Sequence, residues 1–244
     1  MSSTLSPEYL EDVAYDLWRA TEVEELDGWR LRFAHGVSGR ANSVWPNRDG
    51  SLALLEKLER VESWYAARGA PARFQLTEAA RPRGLADALL ARGYEWRGAP
   101  VSVEVASVPN VVALSHGDAS LSEEPDDAWV ELWTGTRGFE RVDIAREILM
   151  SSPGPTTFAR VGDLAVGRGV VLGDWFGITS MATVPEARGR GHARAIVHAL
   201  ACWAEQLGAT RALLQVEETN VPARTLYSSV GFEAHHAYRY CVQS

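Results

Sequence analysis

Between Val184 and Leu200 the chain reads VPEARGRGHARAIVHAL: a proline, then Arg188, Gly189, Arg190 and Gly191, then an apolar run at helical spacing. Glycines let the main chain approach a ligand closely, and a helix start offers unpaired N–H groups carrying roughly half a positive charge, so the pattern suits a diphosphate. Arg188, Arg190 and Arg194 add cations around it. A capped surface turn draws on the same residue types, so the loop alone leaves both readings open. Two nucleotide loops fail on spacing: no Lys-Ser/Thr pair follows the glycines, and Gly189, Gly191 and Arg194 do not complete G-x-G-x-x-G. What remains is R-x-x-G-x-A, Arg188 to Ala193.

With Thr183, Val184 and Pro185 ahead of it, this segment resembles the coenzyme A loop of the GNAT superfamily of N-acetyltransferases. A second motif of that superfamily, N-x-x-A-x-x-L-Y-x-x-x-G-F, is matched by Asn220, Ala223, Leu226, Tyr227, Gly231 and Phe232. The resemblance covers about the last ninety residues. Ala193 stands where Gly is commoner and Thr183 where Val is usual. The resemblance implies acetyl-CoA as co-substrate, with backbone groups of Met181, Ala182 and Thr183 pairing with the pantetheine arm. Gly189, Arg190, Gly191, His192, Ala193 and Arg194, with Arg188, would hold the diphosphate, and Asn220 would touch the coenzyme near its arm. Tyr227 would face the sulfur, where a phenol with an ordinary pKa of about 10 can give a leaving thiolate its proton. An amine must lose a proton to attack, and Glu217, which follows the apolar run before it, is named as the base. Glu217 and Glu218 also fit as solvated loop carboxylates. His198, His235 and His236 read as structural histidines, and His192 as a loop residue beside the phosphates.

The elements that must position these groups follow from periodicity. Strands are expected at Thr156 to Val161, Leu164 to Val171, Trp175 to Thr183, Arg211 to Val216 and Phe232 to Val242, and helices at Gly189 to Gln206 and Val221 to Ser229. The first half repeats the rhythm: a helix at Pro7 to Ala20, strands at Trp29 to Ala34 and Arg40 to Pro46, a helix capped by Ser51 and running to Arg68, a strand at Ala72 to Thr77, a helix at Arg83 to Arg92 and a strand at Tyr94 to Ala106. One offset of 139 residues, Pro46 to Pro185, also pairs Gly69 with Gly208, Trp64 with Trp203 and Ala70 with Ala209, as an internal duplication does. The expected fold is α/β, two tandem GNAT-like domains at 1–107 and 108–244, each a mixed, mostly antiparallel sheet flanked by helices. The connector Ser107 to Asp127 is rich in Ser, Pro and acids, with one short strand expected at Val111 to Leu114. At the same offset Arg188, Gly191 and Ala193 fall on Asp49, Leu52 and Leu54, and Asn220 and Tyr227 on Arg81 and Ala88. The first half is therefore expected to have lost the cofactor site and its anion cradle. By resemblance to tandem members, it would pack on the second half and complete the acceptor cleft.

A net charge of −8 argues against a nucleic-acid partner and mildly favours a cationic small acceptor. Cys202 and Cys241 give neither a disulfide framework nor a metal-ligand spacing, so no metal is expected and a reducing, cytoplasmic setting is. No apolar run reaches membrane-spanning or signal-peptide length. Trp129, Trp133, Phe139 and Trp175 are candidate pocket aromatics, equally well explained as core. The functional reading is transfer of an acetyl group to a primary amine of a small molecule or peptide by direct attack in a ternary complex, by a monomer or homodimer. The alternative is a non-catalytic acyl-CoA-binding sensor or interaction module.

Overall fold

A computed structural model of the chain describes residues 5–138 and 141–244. Its first part runs α1 (Pro7–Leu17), β1 (Glu22–Leu26), β2 (Trp29–Phe33), β3 (Val44–Trp45), α2 (Leu54–Ala66), β4 (Arg73–Leu76), α3 (Leu85–Ala91) and β5 (Tyr94–Ser107). The second runs α4 (Val108–Leu114), β6 (Ser120–Ser122), α5 (Asp127–Arg137), α6 (Val142–Leu149), β7 (Thr156–Val161), β8 (Ala165–Leu172), β9 (Trp175–Thr183), α7 (His192–Gln206), β10 (Arg211–Glu217), α8 (Val221–Ser229) and β11 (Glu233–Gln243). The fold is α/β, a mixed sheet flanked by helices, as the periodicity predicts.

The strands form one sheet in the order β1-β2-β3-β4-β11-β5-β10-β9-β8-β7-β6. The pairs β3/β4 and β9/β10 are parallel; the other pairs are antiparallel. The sheets expected for the two halves are thus joined, and each half's parallel pair is extended by the other half's last strand. β5 lies between β10 and β11, while β11 lies between β4 and β5. The 139-residue offset carries α2, β4, α3 and β5 onto α7, β10, α8 and β11. β5 and β11, which pair from Glu233↔Val105 to Gln243↔Tyr94, therefore meet at the centre of an approximate two-fold arrangement.

Alternation along β10 sorts the two faces. Ala212, Leu214 and Val216 join Ile196, Leu200, Tyr227 and Phe232 in a core beneath α7 and α8, whereas Leu213 joins Leu10, Leu17, Val101, Val103 and Trp175 beneath α1. Trp18, Val37 and Ala41 of the first half share a third core with Trp129, Trp133, Ile148 and Phe158 of the second.

Several local expectations change. Val111 to Leu114 is the end of helix α4, not a strand, because Pro109 in the first turn favours a helix and Val108 and Val111 bury one face against the α7 core. Arg40–Asn42 is a 3-10 turn, leaving only Val44–Trp45 as strand. Ser51 does not cap α2, whose first residue is Leu54; its N–H and hydroxyl are engaged by Asp27. The helix expected from Gly189 starts at His192, since Gly189 and Gly191 both hold positive φ in the turn before it.

Candidate functional site

β9 and β10 run side by side only from Trp175↔Arg211 to Ile178↔Leu214. Beyond that point Thr179 to Thr183 on one strand and Gln215 to Glu217 on the other diverge, which opens a fork in the sheet. A β-bulge shapes the β9 side. Val166 pairs with Ala182 and Arg168 with Thr179, so Ser180 and Met181 together oppose Gly167. Ser180 carries the strain as a non-glycine residue at φ 54°, and the bulge turns Met181 toward the α7 core and Ala182 toward the α5/α6 core. Met181 to Thr183 lie beyond the last β9–β10 pair, Ile178↔Leu214, along the kind of edge an added extended chain requires.

At the end of β9 the chain turns through Pro185–Ala187 and enters α7 with Gly191 at φ 85°, a conformation an L side chain resists. The first bond that closes α7 runs from the Ala195 N–H to the Gly191 carbonyl, 3.0 Å. The N–H groups of His192, Ala193 and Arg194 lie in the first turn, where a helix supplies no internal acceptor. Arg188 and Arg190 are exposed, and Arg188 reaches back to the Thr183 carbonyl at 3.4 Å. Arg194 departs from its expected place among the cations. Its guanidinium donates to the Leu114 carbonyl, 3.1 Å, and the Ser229 hydroxyl, 2.7 Å, so it offers the turn its backbone N–H.

The first half holds a counterpart of this turn. The backbone N–H groups of Ser51 and Leu52, which the offset carries onto Arg190 and Gly191, donate to the two carboxylate oxygens of Asp27 at 2.8 and 3.0 Å. Those two hydrogen bonds lead the effects that lower the Asp27 pKa to about 2. Lys57, almost fully buried, pairs with the same carboxylate at 3.2 Å and lies over the Trp29 ring. A Cβ on Gly50 would meet Asp27 at 1.9 Å. The expectation that Asp49, Leu52 and Leu54 leave no anion cradle is therefore corrected. A small backbone cradle is present ahead of α2, and the chain fills it with its own carboxylate.

The second motif sits where its pattern requires. Asn220 is the N-cap of α8, its side-chain oxygen accepting from the Ala223 N–H at 3.3 Å. Tyr227 is 7% exposed in the α7/α8 core, and its ring meets Phe232 at 5.9 Å. Gly231 makes the positive-φ turn that lets the Phe232 N–H close on the Tyr227 carbonyl at 3.0 Å. Glu217 ends β10, exposed, on the face that alternation gives to Leu213 and Gln215. His235 and His236 are engaged by the Leu5 carbonyl and by Glu11, each at 2.9 Å, and His198 by Ser115 at 3.1 Å. Of the aromatics, Trp129 and Trp133 lie together, Trp175 belongs to the α1 core, and Phe139 lies outside the described residues.

Two arginines near the fork escaped sequence reasoning. Arg168, fully buried on β8, donates to the carbonyls of Leu149 and Leu17 and the hydroxyls of Thr179 and Ser152 at 2.7 to 3.2 Å. The one hint of it was a lone charge in the apolar run AVGRGVVL. Arg40, from the first half, donates to Gln215 Oε1 at 2.5 Å across 175 residues of chain. Among the described residues no cluster of three or more His, Cys, Asp or Glu could hold a metal, and no helix is long and apolar enough to cross a membrane.

A family model described as "Probable histone acetyltransferase Rv0428c C-terminal" matches residues 8–241. The Bacillus subtilis (strain 168) protein named Uncharacterized N-acetyltransferase YobR is 29% identical over 245 residues, covering 94% of this chain and 96% of that protein. Probable histone acetyltransferase Rv0428c of Mycobacterium tuberculosis is 28% identical over 243 residues, covering 95% of this chain and 72% of that protein. Among solved structures, a GCN5-related N-acetyltransferase from Kribbella flavida superposes with a TM-score of 0.65 at 16% identity, covering 92% of this chain and 90% of its own. A tandem GNAT protein from the clavulanic acid biosynthesis pathway superposes with a TM-score of 0.59 at 11% identity, covering 77% and 68%.

Proposed function

Because the chain belongs to the Rv0428c C-terminal family, within the GNAT superfamily of acetyltransferases, we propose that it transfers an acetyl group from acetyl-CoA to a primary amine of a small molecule or peptide, by direct attack in a ternary complex. The observation that carries this reading is the fork between β9 and β10, with the glycine turn and the α7 N-terminus at its outer end. The fit of the coenzyme rests on donors the chain already presents. First-turn N–H groups at a helix start that no N-cap side chain occupies, with the exposed Arg188 and Arg190, suit a diphosphate. In the first half the N–H groups of Ser51 and Leu52, counterparts of Arg190 and Gly191 in the turn before the helix, hold a carboxylate.

In this reading Arg188 to Arg194 bind the diphosphate and Met181 to Thr183 align the arm, with Asn220 holding the α8 start beside it. The amine nitrogen bonds to the acetyl carbon as the carbon–sulfur bond breaks. Glu217 takes the proton the amine gives up, directly or through water, and Tyr227 supplies one to the departing sulfur. We take 108–244 as the half that carries the chemistry and 1–107 as the GNAT-like half whose anion cradle is closed by Asp27.

Tyr227→Phe tests the acid role. A loss of about 10²-fold or more in kcat, with acetyl-CoA affinity by calorimetry held within about twofold, is the expected outcome. Unchanged turnover removes the role. Intact acetyl-CoA binding without acyl transfer to any amine in a broad screen, read by thiol release, would favour the sensor reading.

A further inference from the structure

We infer that Arg40, carried by the first half into the fork of the second, selects small amine acceptors that bear a carboxylate. The inference rests on the acetyltransferase reading above and goes further, to the class of acceptor and a residue that chooses it.

Arg40 donates to Gln215, and Gln215 is the first residue of β10 beyond Leu214, where pairing with β9 stops. The guanidinium therefore stands at the apex of the fork, where an acyl group held along β9 meets its acceptor. Glu217 lies two residues further along the same face of β10, roughly 7 Å by strand geometry. A compact amino acid with its carboxylate on Arg40 has its amine between the two.

The loop that carries Arg40 is held in place before any ligand arrives. Asn42 Oδ1 accepts from the N–H groups of Ala34 and Gly36 at 2.8 and 3.0 Å, and its Nδ2 donates to the Ser38 carbonyl at 2.7 Å. The Ser43 hydroxyl donates to the Arg40 carbonyl at 3.0 Å, and Trp18 Nε1 donates to the Ser38 hydroxyl at 3.1 Å. Gly39 lies against Tyr240, where an added Cβ would sit 3.3 Å from the ring. A loop fixed by so many bonds presents its side chain with little ordering left to do on binding.

Among the described residues Arg40 has no carboxylate within ion-pair distance, although Arg19, Arg30, Arg68, Arg92 and Arg160 each have one. A second cation, Arg168, shares the Trp18 ring with it. The guanidinium carbons of Arg40 and Arg168 lie 5.4 and 5.6 Å from the centre of the Trp18 ring, and Arg168 donates only to neutral oxygens. Burial first, then the Arg40 charge, push the Arg168 pKa down to about 9, which leaves it a cation at neutral pH. Arg40 is thus a half-buried cation with no carboxylate partner among the described residues, and a carboxylate's planar oxygens match a guanidinium's paired donors. A net charge of −8 summed over the molecule does not describe this corner. The local cations also oppose a lysine side chain in the same position.

The test uses acetyl-CoA with a panel of free L-amino acids, the matching α-carboxamides, spermidine and a lysine-containing peptide, with thiol release as readout. The wild type is expected to favour acids over their amides by about tenfold or more in kcat/KM, the worth of a charge-assisted hydrogen bond. Arg40→Met should erase that preference mainly through KM, and Arg40→Lys should restore part of it, with acetyl-CoA affinity unchanged in both. Equal use of acids and amides by the wild type overturns the inference, as does acceptance of only the polyamine or peptide. An equal loss on acids and amides in Arg40→Met reduces Arg40 to a structural tie and also overturns it. Should that variant fail to fold, the wild-type acid-to-amide ratio still decides. Failure of acetyl-CoA to bind the native protein is a different result, and defeats the acetyltransferase reading itself.

Discussion

Asp27 shows how one residue can close a site without altering its backbone. Two backbone N–H groups and Lys57 hold its carboxylate, and its pKa falls to about 2. The ordinary value in an unfolded chain is about 3.9, so the stabilisation is complete above about pH 4 and is lost as pH falls from there through about pH 2. Asp27→Asn keeps the shape but removes the charge and leaves Lys57, whose side chain is 4% exposed, without its ion partner. The expected outcome is lower stability at neutral pH and a flatter acid limb, checked by urea midpoints measured across the acid range. Tyr227 and Arg40 belong to this scale too, since each is tested by one side chain with coenzyme affinity as the control.

At the scale of elements, the loop before α7 and the bulge in β9 divide the work. The bulge sets which face each residue of the fork presents, and the turn sets where the helix N–H groups aim. Gly191 is the hinge of the second task. An alanine there must adopt a left-handed backbone at about 1–2 kcal/mol, or tilt the first turn of α7. Gly191→Ala is expected to weaken acetyl-CoA binding by about tenfold or more in calorimetry, while the thermal midpoint falls by a few degrees. Coenzyme affinity equal to the wild type would show that the turn does not grip the diphosphate. The turn in the first half carries Gly50, the counterpart of Gly189, packed so tightly on Asp27 that any side chain added at Gly50 would force Asp27 to move.

Across the whole molecule, the exchange of β5 and β11 makes each half incomplete without the other. β10 loses its antiparallel neighbour if 1–107 is removed, and β4 loses its own if 108–244 is removed. A buried polar chain crosses the same seam, from Arg32 to Gln75 at 2.9 Å, Gln75 to Glu11 at 2.7 Å and Glu11 to His236 at 2.9 Å. Breaking it would leave buried polar groups unpaired. The full chain is expected to unfold in one transition, coincident by far-ultraviolet dichroism and tryptophan fluorescence, and either half expressed alone to lack a stable fold. Two separated transitions would mean that the halves fold independently.

Sequence by itself determined what is local. The glycine turn, the α8 motif with its cap and its Gly-Phe close, the order of helices and strands and the 139-residue repeat all follow from backbone chemistry and side-chain period within a few residues. It misread Val111 to Leu114, where β-branched residues suggest a strand and burial against α7 decides for a helix. Tertiary structure alone decided the exchange of the last strands, the carboxylate of Asp27 in the first cradle, the Ser180 bulge and the reach of Arg40 to Gln215. Each of these is a pairing or strain set by partners distant in the chain, 175 residues away for Arg40, and such bonds leave no periodic mark on the residues that make them.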